Sequence, residues 1–89
     1  MSVTETMRTK LEAAFTPDRL ELVDESEKHR GHGGWREGGE THFHLRMTSA
    51  AFDGKSRVMR QRAVNSVLAE ELADRVHALS MELRAPSEA

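Results

Sequence analysis

Five histidines and no cysteine set the chemistry open to this chain of 89 residues. Without thiols it forms no disulfide, builds no all-thiolate zinc or iron–sulfur site and offers no cysteine nucleophile, so any soft-metal site must borrow its sulfur. His42 and His44 stand two apart in an alternating segment, which puts both rings on one face of a strand at a spacing that can chelate a metal. Alternation places any two polar residues of a half-exposed strand in the same way, so spacing alone does not make them ligands. His29 and His32 fall in a glycine-rich stretch that could swing them toward another site or a partner. His77 opens an extended segment beside a charged helix end, where its ring should be exposed. An exposed imidazole is also a common surface residue with a switchable charge.

Catalysis is a poor reading of these residues. No G-x-S-x-G elbow, P-loop or G-x-G-x-x-G after a strand is present. Gly31-His32-Gly33-Gly34 lacks the lysine and following helix that phosphate cradling requires. A second feature is electrostatic. Lys55, Arg57, Arg60 and Arg62 crowd the start of a helical segment that ends in Glu70, Glu71 and Asp74, the reverse of what a helix dipole favours by about 0.3–1 kcal/mol per exposed charge. One reading keeps this basic turn for an anionic partner, either nucleic-acid phosphate or an acidic protein face. The other makes it a solvated face whose side-chain stems cover apolar surface. With a net charge of −2, nucleic-acid affinity would be local and modest. Trp35, the single tryptophan, lies in the glycine-rich stretch and reads as a partner contact.

The elements that must position these groups follow from periodicity. Val3, Met7, Leu11 and Ala14/Phe15 recur in steps of four and predict a helix over 3–15, closed by Pro17. Leu20 and Leu22 alternate with charges, predicting a strand over 19–24. Five of the six glycines lie between residues 31 and 39, so 26–40 reads as a long loop. Phe43, Leu45 and Met47 then alternate with His42, His44 and Arg46, predicting a strand over 41–47 antiparallel to the first. Ser56 is a helix N-cap, and a helix to about residue 74 buries Met59, Ala63, Val67 and Leu72, flanked by Val64 and Leu68. A last strand covers 76–84, and 85–89 is a frayed tail. The sum is one α+β domain over 1–84, a two-layer sandwich with helices on one face of a three-stranded sheet. A chain this short supports one small core and no deep cavity. Charges among the first fifteen residues and the lack of a long apolar run exclude a signal peptide and a membrane span, and a soluble cytoplasmic protein fits.

Several linked pieces resemble the BolA-like proteins over nearly the whole chain: Leu22-Val23-Asp24-Glu25-Ser26, Gly39-Glu40-Thr41-His42-Phe43 and Phe52-x-Gly54-Lys55-Ser56. Arg60-Gln61-Arg62-Ala63-Val64, Leu68-Ala69-Glu70-Glu71-Leu72 and Val76-His77-Ala78-Leu79-Ser80 complete the set in order and spacing. His29-Arg30-Gly31-His32-Gly33 is similar to the loop of the subgroup that carries a histidine rather than a cysteine there. The resemblance implies a class II KH-like α-β-β-α-β fold with a mixed sheet. It also implies a non-enzymatic role in partnership with a monothiol glutaredoxin. In that family a 2Fe–2S cluster is bridged between the two proteins, with sulfur from the glutaredoxin cysteine and from a bound glutathione. Carried over by position, the ligands on this chain are His77 and either His29 or His32. No cofactor is expected in the isolated chain. Some members act as DNA-binding transcriptional regulators, and the resemblance places DNA contact at Lys55, Arg57, Arg60 and Arg62. Gln61 and Asn65 stand where a histidine and a tyrosine are common, and the turn at Phe52-Asp53-Gly54-Lys55 has no G-x-x-G, which weakens an RNA-binding reading.

Overall fold

The structure, a computed structural model, describes residues 2–26 and 39–88. Helix α1, Val3–Phe15, starts at Ser2, whose hydroxyl accepts from the Glu5 N–H, and buries Met7, Leu11 and Phe15 at the expected spacing of four. It stops where predicted. Thr16 turns left-handed at φ 42° and its N–H bonds the Glu12 carbonyl, just ahead of Pro17.

Strand β1, Arg19–Asp24, pairs antiparallel with β2, His42–Thr48, and β2 pairs parallel with β3, Ala78–Arg84. The sheet is therefore mixed, with β2 at its centre. Leu22, Phe43, Leu45 and Met47 bury one face of the sheet against Met7, Leu11, Phe15, Phe52, Val64 and Leu68 from the helical layer. This is the two-layer α+β arrangement expected from the alternation. β3 begins at Ala78, two residues later than predicted. The Val76 N–H is taken by the Glu71 carbonyl, and the N–H groups of His77 and Ala78 both converge on the Thr41 carbonyl, which leaves His77 at the threshold of the strand.

The single helix predicted to residue 74 is two: α2, Arg57–Val67, and α3, Ala69–Ala73, broken at Leu68. The break moves Glu70 and Glu71 from the end of a long helix to the first turn of a short one, where negative charge is favourable, and Glu71 pairs with Lys10 at 2.8 Å. The buried stripe of α2 also lies one residue on from the expected one. Arg60, Val64 and Leu68 face inward with Ala63 and Val67 beside them, while Met59 is 54% exposed.

The reason for that register is the fate of Arg60 and of the chain end. Of residues 85–89, predicted as a frayed tail, 85–88 are described, and they bury Ala85 and form a 3-10 turn over Pro86–Glu88. Glu88 receives both Nη atoms of Arg60, at 2.6 and 2.9 Å, and the Ala85 N–H. Arg60 also donates to the carbonyls of Lys55 and Leu83 and lies over the Phe52 ring at 5.9 Å. The Arg60 guanidinium and the Ala85 N–H pull the Glu88 carboxyl down to about 2. A charge satisfied on every side is what allows an arginine to occupy the inner face of a helix.

Candidate metal centre and basic patch

Residues 27–38, which carry His29, His32 and Trp35, lie outside the described residues. Both ends of that segment are described, and one carboxylate holds them together. Asp24 Oδ1 accepts from the Ser26 hydroxyl and N–H, and Asp24 Oδ2 accepts from the Glu40 N–H at 2.9 Å. Partial burial disfavours the charge on Asp24, but these hydrogen bonds and the nearby Arg75 outweigh it and hold the carboxyl below its ordinary value of 3.8. The Ser26 oxygen, fully inside, accepts from the N–H groups of Thr41 and His42. Arg75 donates to the Gly39 carbonyl at 2.9 Å.

Gly39 has a positive φ of 74°, and a Cβ there would sit 3.1 Å from Asp24 Oδ2. Glu40 is left-handed without being glycine, at φ 60°, and its carboxylate receives the N–H and hydroxyl of Thr4 on α1. The two described ends of the segment thus meet in an over-determined knot between β1, β2 and α1.

His77 stands directly on this knot. Its backbone N–H donates to the Thr41 carbonyl at 2.7 Å while its side chain is exposed, as the sequence predicts. The ring lies 5.4 Å, centroid to centroid, from that of His42. His42 is 4% exposed and its Nδ1 is 2.8 Å from the Thr41 hydroxyl. The structure therefore brings His77 and both ends of the histidine-bearing segment to one corner. Which of His29 and His32 lies nearer falls outside the described residues.

The His42/His44 pair is different from the two-residue chelate considered above. His44 has both ring nitrogens engaged, Nδ1 with Ser80 Oγ at 2.7 Å and Nε2 with Glu82 Oε2 at 2.8 Å. Arg46 also reaches Glu82, at 3.1 Å. These contacts follow the parallel register, His44 opposite Ser80 and Arg46 opposite Glu82. The His44 and Arg46 bonds hold the Glu82 carboxyl below its usual range. Among the described residues no three histidine or carboxylate side chains group as a metal site. Ser80, His44 and Glu82 have the residue types of a nucleophile chain, but they lie on the outer face of the sheet and tie β2 to β3.

The basic turn is smaller than its sequence suggests. Lys55, Arg57 and Arg62 are exposed, whereas Arg60 is 9% exposed and committed to Glu88. Four cations offered to an anionic partner become three, because the buried stripe of α2 runs through Arg60.

A family profile described as BolA-like protein matches residues 11–88. The chain belongs to the BolA-like family. This BolA-like protein is 49% identical to an uncharacterized protein of Sinorhizobium sp., over 99% of its own length and 96% of that protein's. It is 42% identical to the DNA-binding transcriptional regulator BolA of Escherichia coli, covering 91% of this chain and 73% of the regulator. The solved BolA domain of SufE1 from Arabidopsis thaliana superposes with a TM-score of 0.90 at 43% identity, covering 100% of this chain and 98% of that one. Some relatives are much longer: the BolA-like chain spans 57% of human BolA-like protein 1 and 23% of SufE-like protein 1 of Arabidopsis thaliana. No helix among the described residues is long and apolar enough to cross a membrane.

The sequence reading missed Ser26, Thr41, Gly39 and Asp24 as the scaffold of this corner. A signal was present: Asp24-Glu25-Ser26 has the spacing for a carboxylate to bond the backbone two residues on. What no local pattern shows is that the same carboxylate receives Glu40, sixteen residues away.

Proposed function

We propose that this BolA-like protein is a non-enzymatic adaptor that pairs with a monothiol glutaredoxin and contributes histidines to a bridging 2Fe–2S cluster. The observation that carries this reading is the corner itself. His77 is exposed on a backbone anchored to Thr41, and Ser26 and Glu40, at the two ends of the segment bearing His29 and His32, are bonded into the same knot. An imidazole on a fixed backbone is a suitable borderline ligand, and a chain with no cysteine needs a thiolate-bearing partner to complete the set. When bound, such a cluster supplies one-electron chemistry, with histidine in place of thiolate raising its potential. The protein's own part is to present neutral imidazoles, so assembly should weaken as these protonate.

Reconstitution with a monothiol glutaredoxin, iron, sulfide and glutathione tests this reading. The wild-type complex should show the visible absorption of the cluster, and His77→Ala should lose most of it with unchanged far-UV circular dichroism. An identical spectrum and complex yield for His77→Ala would overturn the assignment. His29→Ala and His32→Ala, compared in the same assay, identify the second ligand. Cytoplasmic residence is part of the proposal, checked by fractionation of source cells, because the SufE-like relative is named as chloroplastic/mitochondrial.

A second reading is DNA contact through Lys55, Arg57 and Arg62, supported by the name of the Escherichia coli relative and by the exposure of these cations. It predicts a salt-dependent affinity whose slope shrinks by about one phosphate contact when Arg57 or Arg62 becomes Ala. A slope indifferent to both substitutions rules the surface out.

A further inference from the structure

The solvent face at the start of α2 combines two features that do not suit the same partner by accident. Val58 and Met59 are 53% and 54% exposed, among the few large apolar side chains left open on the described surface. Lys55, Arg57 and Arg62 flank them in the chain, all exposed, and their side chains make no ion pair or hydrogen bond among the described residues. The helical repeat places Val58 and Arg62 one turn apart, with Met59 beside them. Nothing acidic lies in the first turn of α2, and ahead of it stands Asp53, so Lys55 and Arg57 run against the helix dipole. We propose that this patch docks an acidic protein segment that buries an apolar side chain against Val58 and Met59 and sets carboxylates against Lys55, Arg57 and Arg62.

Charge decides the sign of the partner and the apolar pair decides its class. A phosphate backbone gains nothing from two open aliphatic side chains, whereas an amphipathic protein segment gains from both parts. The location adds a consequence. Arg60 ties α2 to the Leu83 carbonyl, at the far end of β3 from His77, and seven residues of strand separate these ends by about 20 Å. A segment on the patch and a glutaredoxin at His77 can therefore be held at once. This consequence rests on the adaptor reading, while the patch itself does not.

A phage-displayed library of random peptides, selected on the intact protein, is the test. Recovered peptides should place acidic residues around an apolar one and bind wild type and His77→Ala equally. Met59→Ser should weaken them about tenfold, and the pair Arg57→Glu with Arg62→Glu should do so further. These positions are exposed, so circular dichroism should report an unchanged fold. Recovery of no sequence above the bare support, or of peptides indifferent to both sets of substitutions, would overturn the proposal. A short DNA duplex titrated in parallel gives the other decisive outcome. If it binds more tightly than any recovered peptide, with loss on the charge reversals and none on Met59→Ser, the patch belongs to nucleic acid and the proposal fails. Cluster assembly should persist in the Arg57→Glu, Arg62→Glu protein, so failure at one end of the molecule is read separately from failure at the other.

Discussion

Ser26 shows how much one hydroxyl can hold. It is 2% exposed, donates to Asp24 and accepts from two backbone N–H groups of β2's leading edge. Ser26→Ala removes the acceptor and leaves those donors buried without it, which should cost about 1–3 kcal/mol in chemical denaturation. The same substitution should lower cluster yield with glutaredoxin, because the ends of the histidine-bearing segment lose their tie to the Thr41 corner. A variant that loses stability but keeps full yield would separate the scaffold from the ligand site. Asp24 has a sign that follows from its shift. Its carboxyl is held below 3.8 in the folded protein, so its contribution is fully present above that value and is lost as pH falls beneath it.

At the scale of elements, α2 is the instructive case. Its apolar residues recur at steps that fit a stripe through Met59, Ala63 and Val67, yet the buried line runs through Arg60, Val64 and Leu68. Hydropathy periodicity assigns arginine to the outside, and here that rule yields to a guanidinium with four acceptor contacts, two of them from a residue 28 positions later. The register makes a clear prediction. Leu68→Ala, at a fully buried site, should destabilise by about 2–5 kcal/mol, whereas Met59→Ala should stay within about 0.5 kcal/mol of wild type. Equal losses by thermal or urea denaturation would contradict the inward turn of Arg60.

Across the whole molecule, the chain end closes the fold through Glu88. Its carboxyl falls from an ordinary 4.5 to about 2. A depressed carboxylate stabilises fully above its unfolded value, and that contribution disappears as pH drops from 4.5 toward about 2. Glu88→Gln should therefore lower the denaturation midpoint above pH 4.5, with a smaller further fall near pH 2 than wild type shows. Asp24 and Glu82 titrate in the same direction and leave a residual acid slope in that variant. The tail was illegible in the sequence because Pro86-Ser87-Glu88 carries no apolar pattern. Its order comes from one ion pair and a buried Ala85, and neither has a local signature.

The sequence by itself determined the order of elements, the ends of α1 and β1, the inward faces of β1 and β2, and the lack of any thiol among these 89 residues. These are properties of neighbours in the chain: steps of four, alternation, a proline after a helix, a count of zero cysteines. Tertiary structure alone decided the break at Leu68, the inward turn of Arg60, the burial of His42 against His77 and the knot that joins Asp24, Ser26 and Glu40. The inward turn of Arg60 and the knot rest on hydrogen bonds between residues far apart in the chain, such as Arg60 with Glu88, Ser26 with Thr41 and Arg75 with Gly39. Periodicity records which face of an element is apolar. It carries no record of which distant carbonyl or carboxylate will satisfy a polar group once that face is buried.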